Sequence, residues 1–189
     1  MTSYLQELFA FLKNPTVEKD ENTHFGYRIQ KFSYLLAISL ATSFLLTPIF
    51  ALIEQTGLVN MDKHAMEEMM ESFSKPMLFF LVVIIAPFFE ELIFRGPITL
   101  FKDSKYFKSI FYGIAIVFGL IHITNFDITQ NVLLVSPLLV APQICLGAYF
   151  GFIRVRFGLV WSMAIHACYN GILMGITLFA DMPVWQVPN

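Results

Sequence analysis

The chain has 189 residues, of which 57% are apolar and only 14% charged, against about 25% charged in an ordinary soluble domain. A formal net charge of -2 with no dense Lys/Arg stretch excludes a nucleic-acid binder, and the apolar content excludes a disordered chain. What these numbers leave is a compact all-α, polytopic transmembrane bundle.

Residues 3–12 place apolar side chains at Leu5, Leu8, Phe9 and Leu12 after a cap-type Ser3. That spacing predicts an amphipathic helix, either lying on the membrane interface or leading into the first span. The first long apolar run, 32–53, carries no charge and crosses a bilayer at about 1.5 Å per residue. It is too long for the apolar segment of a cleaved signal peptide and reads as a retained span. Pro48 is expected to kink its end, with a neighbouring helix covering the freed carbonyl.

Residues 61–73 are acidic and Met-rich and predict a wet surface helix. The second span, 77–96, contains Glu90, Glu91 and Arg95. The third, 107–124, contains His122. The fourth, 132–153, is broken by Pro137 and Pro142. The fifth, 159–180, contains His166 and Asn170. The organisation is a cytoplasmic or interfacial segment 1–31, a transmembrane bundle 32–180 with a catalytic core 76–180, and a tail 181–189.

The cations orient the bundle. Lys13, Lys19, Arg28 and Lys31 precede span one. Lys102, Lys105 and Lys108 follow span two, and Arg154 and Arg156 follow span four; Lys63 and Lys75 fall on the other side. The positive-inside rule then puts the N-terminus in the cytoplasm. Cys145 and Cys168 lie in apolar stretches without metal-ligand or disulfide spacing and read as small packed side chains.

Ionisable groups inside a span are costly and mark function. Glu90 and Glu91 point about 100° apart on a helix, so they cannot share one task. Arg95 stands four residues after Glu91 and pairs with it, which leaves Glu90 free to face a cavity. Asn170 lies four residues after His166, on the same helix face. Depth sets a condition on the meeting of these groups. A second span ending at Gly96 would hold Glu90 only about 9 Å from the membrane edge, too shallow to reach His122 at about 22 Å. Continuation through Pro97 to Phe101 moves Glu90 to about 17 Å, level with Asn170 at about 17 Å and near His166 at about 11 Å. The expectation is therefore continuation with a kink at Gly96 and Pro97, the Ile93 carbonyl being left for Arg95 to satisfy.

A carboxylate beside imidazoles in a low-dielectric pocket can take a proton from water, while His and Asn donors stabilise an oxyanion. This combination hydrolyses an amide without a covalent intermediate. The same Glu90, His122 and His166 would alternatively supply a divalent metal such as zinc, although no H-E-x-x-H is present. No cofactor is certain on this basis. Ser162, four residues before His166, gives a weaker serine-nucleophile reading with no G-x-S-x-G around it. Gly147 with Gly151, and Gly113 with Gly119, predict close helix packing.

In these residues the chain resembles the CAAX-protease and bacteriocin-processing (CPBP or Abi) family of intramembrane proteases. The E-E-x-x-x-R-G motif reads Glu90-Glu91-Leu92-Ile93-Phe94-Arg95-Gly96. F-x-x-x-H reads Phe118-Gly119-Leu120-Ile121-His122, and the small-residue motif resembles Gly147-Ala148-Tyr149-Phe150-Gly151. H-x-x-x-N reads His166-Ala167-Cys168-Tyr169-Asn170. The resemblance covers 76–180. It implies that Glu90 activates water, that His122 helps to bind it, and that His166 and Asn170 serve the oxyanion or a metal. It assigns Glu91 and Arg95 a supporting role.

The implied protein is a glutamic or metallo-endopeptidase of the cell membrane, with a peptide or membrane-protein substrate, the lipid bilayer as its surroundings and no nucleic acid. The compact chain favours a bacterial plasma membrane and a peptide substrate; the resemblance implies a CAAX prenyl protease 2-like enzyme, with bacteriocin processing or self-immunity among the family's roles and CAAX substrates expected of its eukaryotic branch. Members commonly carry more helices before the first motif than the single span here, so substrate capture is where this chain is expected to differ. The alternatives are a non-catalytic binding or immunity protein of the same fold, and a proton-coupled transporter. Oligomeric state is not legible.

Overall fold

The computed structural model describes residues 2–60 and 65–180. Lys63 and the tail 181–189, both used above, lie outside them, as does the start of the expected 61–73 helix. Among the described residues the chain is helical, with no strand. Five helical stretches are long and apolar enough to cross a membrane: Phe25–Gln55, Lys75–Phe101, Phe107–Asn125, Gln130–Phe157 and Leu159–Leu178. The chain is a multi-pass membrane protein.

Helix α1 (Thr2–Lys13) is followed by α2 (Phe25–Gln55), which begins seven residues before the apolar run. The extra turns are held by polar contacts. Lys31 Nζ lies 2.6 Å from Glu7 of α1, and Arg28 Nε donates to the Asn22 carbonyl at 2.8 Å. Tyr4, Leu8 and Phe11 are buried, and the Phe11 ring meets Phe111 and Phe152. Lys108 Nζ donates to the Lys13 carbonyl at 2.8 Å, and Tyr112 Oη donates to the Leu12 carbonyl. Helix α1 is therefore docked on the end of the bundle, which excludes a helix resting only on lipid headgroups.

Helix α3 (Ala65–Ser72) is followed by a second span in four pieces. These are α4 (Lys75–Phe80), a π turn (Leu81–Ile85), α5 (Ala86–Phe94) and a 3-10 turn (Pro97–Phe101). Continuation to Phe101 matches the depth argument. The π turn has no counterpart in it. Helix α3 is also drier than expected. Its Met66, Met69 and Met70 pack against Leu78, Val83 and Met174, because an unbranched thioether fills an irregular apolar gap well.

The third span is α6 (Phe107–Ile121), ended by a 3-10 turn (His122–Asn125). The fourth is α7 (Gln130–Leu139) and α8 (Ala141–Phe157), broken at Val140 just ahead of Pro142. The fifth is α9 (Leu159–Ala180). Helix α8 is central, buried along most of its length. A Cβ on Gly119 would lie 2.3 Å from Ile144 Cγ1, and one on Gly147 would lie 3.1 Å from Ala115 Cα. These two glycines let α6 and α8 touch backbone to backbone, as small residues do inside membranes. Gly113 has nothing within 4 Å of its would-be Cβ and takes no part in that packing. Cys168 faces outward and Cys145 is half-buried, so only the latter is a packed side chain.

Candidate active site

Helix α5 presents its two adjacent acids to different surroundings. Glu91 is fully buried, and three groups converge on it. Arg95 Nη1 lies 3.3 Å from Oε1, His166 Nδ1 lies 2.9 Å from the same oxygen, and Ser162 Oγ donates to Oε2. The i,i+4 spacing brings Arg95 onto the acid, and the guanidinium rests on the Phe118 face, 3.8 Å from the ring centroid. A charge so deep is tolerable only with such company.

Glu90, one residue earlier, turns toward a cavity of about 670 Å³ whose lining also includes His122, Gln143, His166 and Asn170. All four sequence-predicted site residues meet there. The Oε2 of Glu90 lies 3.7 Å from His166 Nε2 and has no hydrogen-bond donor among the described residues. His166 thus spans both acids, with Nδ1 on Glu91 and Nε2 toward Glu90. The two carboxylates do different jobs, as their 100° separation requires, yet one imidazole couples them.

His122 caps α6. Its Nδ1 stands 2.7 Å from the Phe118 carbonyl. A carbonyl only accepts, so Nδ1 carries the proton and Nε2 of the neutral ring is an acceptor. Asn170 Nδ2 donates to the Val82 carbonyl at 2.9 Å. One of its two amide hydrogens is therefore taken by the π turn, which the sequence reading did not foresee. Gln143, at the start of α8, is a lining residue that was also missed. Its signal was an amide one position beyond Pro142, where a broken helix exposes polar groups.

At the kink it is Arg154, not Arg95, that binds the main chain, and it does so at the carbonyls of Arg95 and Gly96, not at the Ile93 carbonyl that was expected to need a donor. Arg154 Nε donates to the Arg95 carbonyl at 2.9 Å. Its Nη2 reaches the Gly96 carbonyl at 3.3 Å and Thr99 Oγ1 at 3.0 Å. Arg95 cannot fill that role because Glu91 and Phe118 hold it on the inner face. Arg154 was read only as a loop charge. It serves instead as the clamp that lets the second span continue past Pro97.

Ser162 is fully buried and its hydroxyl points at Glu91, which removes the serine-nucleophile reading. Ser162→Ala is expected to retain peptide turnover within about tenfold, the cost of one hydrogen bond to a charged group. The protein is also expected to resist serine-directed phosphonates. A loss of about a thousandfold with phosphonate labelling at this position would reinstate the nucleophile. Three His, Cys, Asp or Glu side chains that could hold a metal ion do not converge anywhere among the described residues. In both imidazoles Nδ1 is taken, by Glu91 and by the Phe118 carbonyl, which leaves each Nε2 available, as in a metal-bound histidine. Glu90, His122 and His166 thus carry the donor types a divalent metal takes but do not come close enough to share one here.

The sequence profile of the type II CAAX prenyl endopeptidase Rce1-like family matches residues 72–172, more than half of the chain and the whole of the cluster just described. No curated protein and no solved structure matches the chain.

Proposed function

The chain belongs to the Rce1-like family of type II CAAX prenyl endopeptidases, and from that premise we propose that it is an intramembrane endopeptidase in which Glu90 activates water against a peptide bond. The observation that carries this reading is the contrast between two neighbouring acids. Glu91 is locked in a buried network, while Glu90 lines the cavity and its Oε2, buried beside His166 Nε2, has no donor among the described residues.

A water between Glu90 and His122 would donate one hydrogen to the carboxylate and the other to His122 Nε2, turning an oxygen lone pair toward the substrate carbonyl. As the new C–O bond forms, the proton moves to Glu90. The carbonyl oxygen becomes an oxyanion, facing the remaining Asn170 amide hydrogen and His166 when its Nε2 is protonated. Collapse breaks the C–N bond, and Glu90 returns the proton to the leaving amine. Glu91 fixes the orientation of His166 as a carboxylate fixes a catalytic imidazole. The apolar mouth, with Met66, Met69 and Met174 in its lining, suits a hydrophobic peptide or membrane-protein segment.

The test is cleavage of hydrophobic peptides, prenylated and unprenylated, by the purified protein in lipid nanodiscs. His122→Ala is expected to lower kcat about a hundredfold, since it removes one of the two acceptors that orient the water. Turnover by His122→Ala equal to that of the wild type overturns the water-orienting role. A chelation and metal-addition series on the same preparation separates the carboxylate route from a metal-assisted one: the reading expects turnover to survive chelation.

A further inference from the structure

The π turn raises a backbone question that points to a second task for Asn170. In this turn the Ala86 N–H reaches back five residues to the Leu81 carbonyl. It is therefore lost to the Val82 carbonyl, its partner in an α-helix. The next N–H in π register would belong to residue 87, which is Pro87 and has none. The Val82 carbonyl is left without a main-chain donor inside a membrane span, where such a group is costly. The donor it receives is Asn170 Nδ2, from α9, at 2.9 Å.

We propose that Asn170 is a positioning residue that holds the π turn open and thereby sets which way Glu90 and Glu91 point. A π turn carries one residue more than the α-helical turn it replaces. Relaxation to α-helix would rotate everything downstream by about 100° relative to α4. That angle is the angle between the two acids. Rotation by it would carry Glu91, with Arg95, away from Ser162 and His166 on α9 and turn Glu90 off the cavity. The latch joins α9 to α4 and α5 at the level of the cavity. The residue that carries it stands one turn from His166, so α9 aligns the imidazole and the carboxylates together.

The inference rests on the proposed peptidase reading for its kinetic readout and has a second readout that does not. Asn170→Ala is expected to lower kcat about tenfold or more with KM little changed, because the carboxylates are misaligned and the peptide-binding mouth is kept. Pro87→Ala restores an N–H that can serve the Val82 carbonyl. Alone it is expected to keep near-wild-type turnover. Combined with Asn170→Ala it is expected to recover the part of kcat lost through misalignment, so that removing Asn170 costs less in the Pro87→Ala background than in the wild type. Thermal unfolding of the same four proteins in nanodiscs should show matching non-additivity: Asn170→Ala lowers Tm less in the Pro87→Ala background. An Asn170 whose whole contribution is to the oxyanion would lose the same kcat in both backgrounds, with additive Tm shifts, and that result overturns the latch. Should no variant cleave peptide, the peptidase reading fails by itself, and additive or non-additive Tm shifts still decide the latch.

Discussion

Glu90→Gln is expected to slow peptide hydrolysis about a thousandfold or more while leaving the fold intact. The substitution keeps the side chain's shape and removes only its ability to take a proton. Little stability should go with it. The side chain is partly exposed to the cavity, and His166 Nε2, 3.7 Å away, is beyond hydrogen-bonding distance. The proposed chemistry has no other free carboxylate: that of Glu91 is enclosed by Arg95, His166 and Ser162. Single-turnover cleavage in nanodiscs measures the effect, with thermal unfolding as the control for folding. Turnover within about tenfold of wild type would show that proton transfer from water does not run through this carboxylate. A large loss accompanied by a Tm drop of many degrees would place Glu90 in the scaffold. The expected pattern is a lost kcat on an unchanged melting curve, the opposite of the pattern for its neighbour.

The span pattern and the convergence of the four polar residues were legible in the chain. They follow from local rules: apolar length gives spans, and the rise per residue gives depth. The need for Glu90 to reach mid-membrane was enough to require a second span running past Pro97, and the 3-10 turn to Phe101 is how the backbone does it. What was not legible depends on groups far apart in sequence. The π turn at Leu81–Ile85 is tied to Asn170, and nothing in the run of Leu, Val and Ile residues distinguishes it from an α-helix. Arg154 reads as a loop cation until α8 is laid beside the break, where it finds the Arg95 and Gly96 carbonyls. Ser162 and His166 do share a helix face by spacing, but spacing cannot say that the shared object is a buried carboxylate. The Met face of α3 was misread because a short acidic helix resembles a solvated one until its three methionines are seen packed on Leu78, Val83 and Met174, two of them, Met66 and Met69, lining the cavity.

Glu91→Leu is expected to destabilise the protein by about 3–5 kcal/mol, because it leaves the Arg95 charge buried without its acid. Both partners are essentially inaccessible, at 0% and 1% relative exposure, so neither solvent nor salt screens the loss. The second variant in the cycle is Arg95→Met, which removes the stranded charge and retains contact with the Phe118 ring. Glu91→Leu/Arg95→Met should unfold closer to wild type than either single variant, since an apolar pair of similar bulk avoids the desolvation of both ions. Thermal unfolding across the four proteins gives the coupling directly. Activity should not follow stability. His166 Nδ1 has no carboxylate to bind in the double variant, so the ring is free to turn its Nε2 away from Glu90. Recovered Tm with turnover still absent would assign Glu91 two separable roles, holding Arg95 in the core and aiming His166 at the cavity. If turnover returned together with Tm, the acid would be needed for folding alone, and His166 would owe its orientation to packing against Phe150, whose ring centroid lies 4.9 Å away.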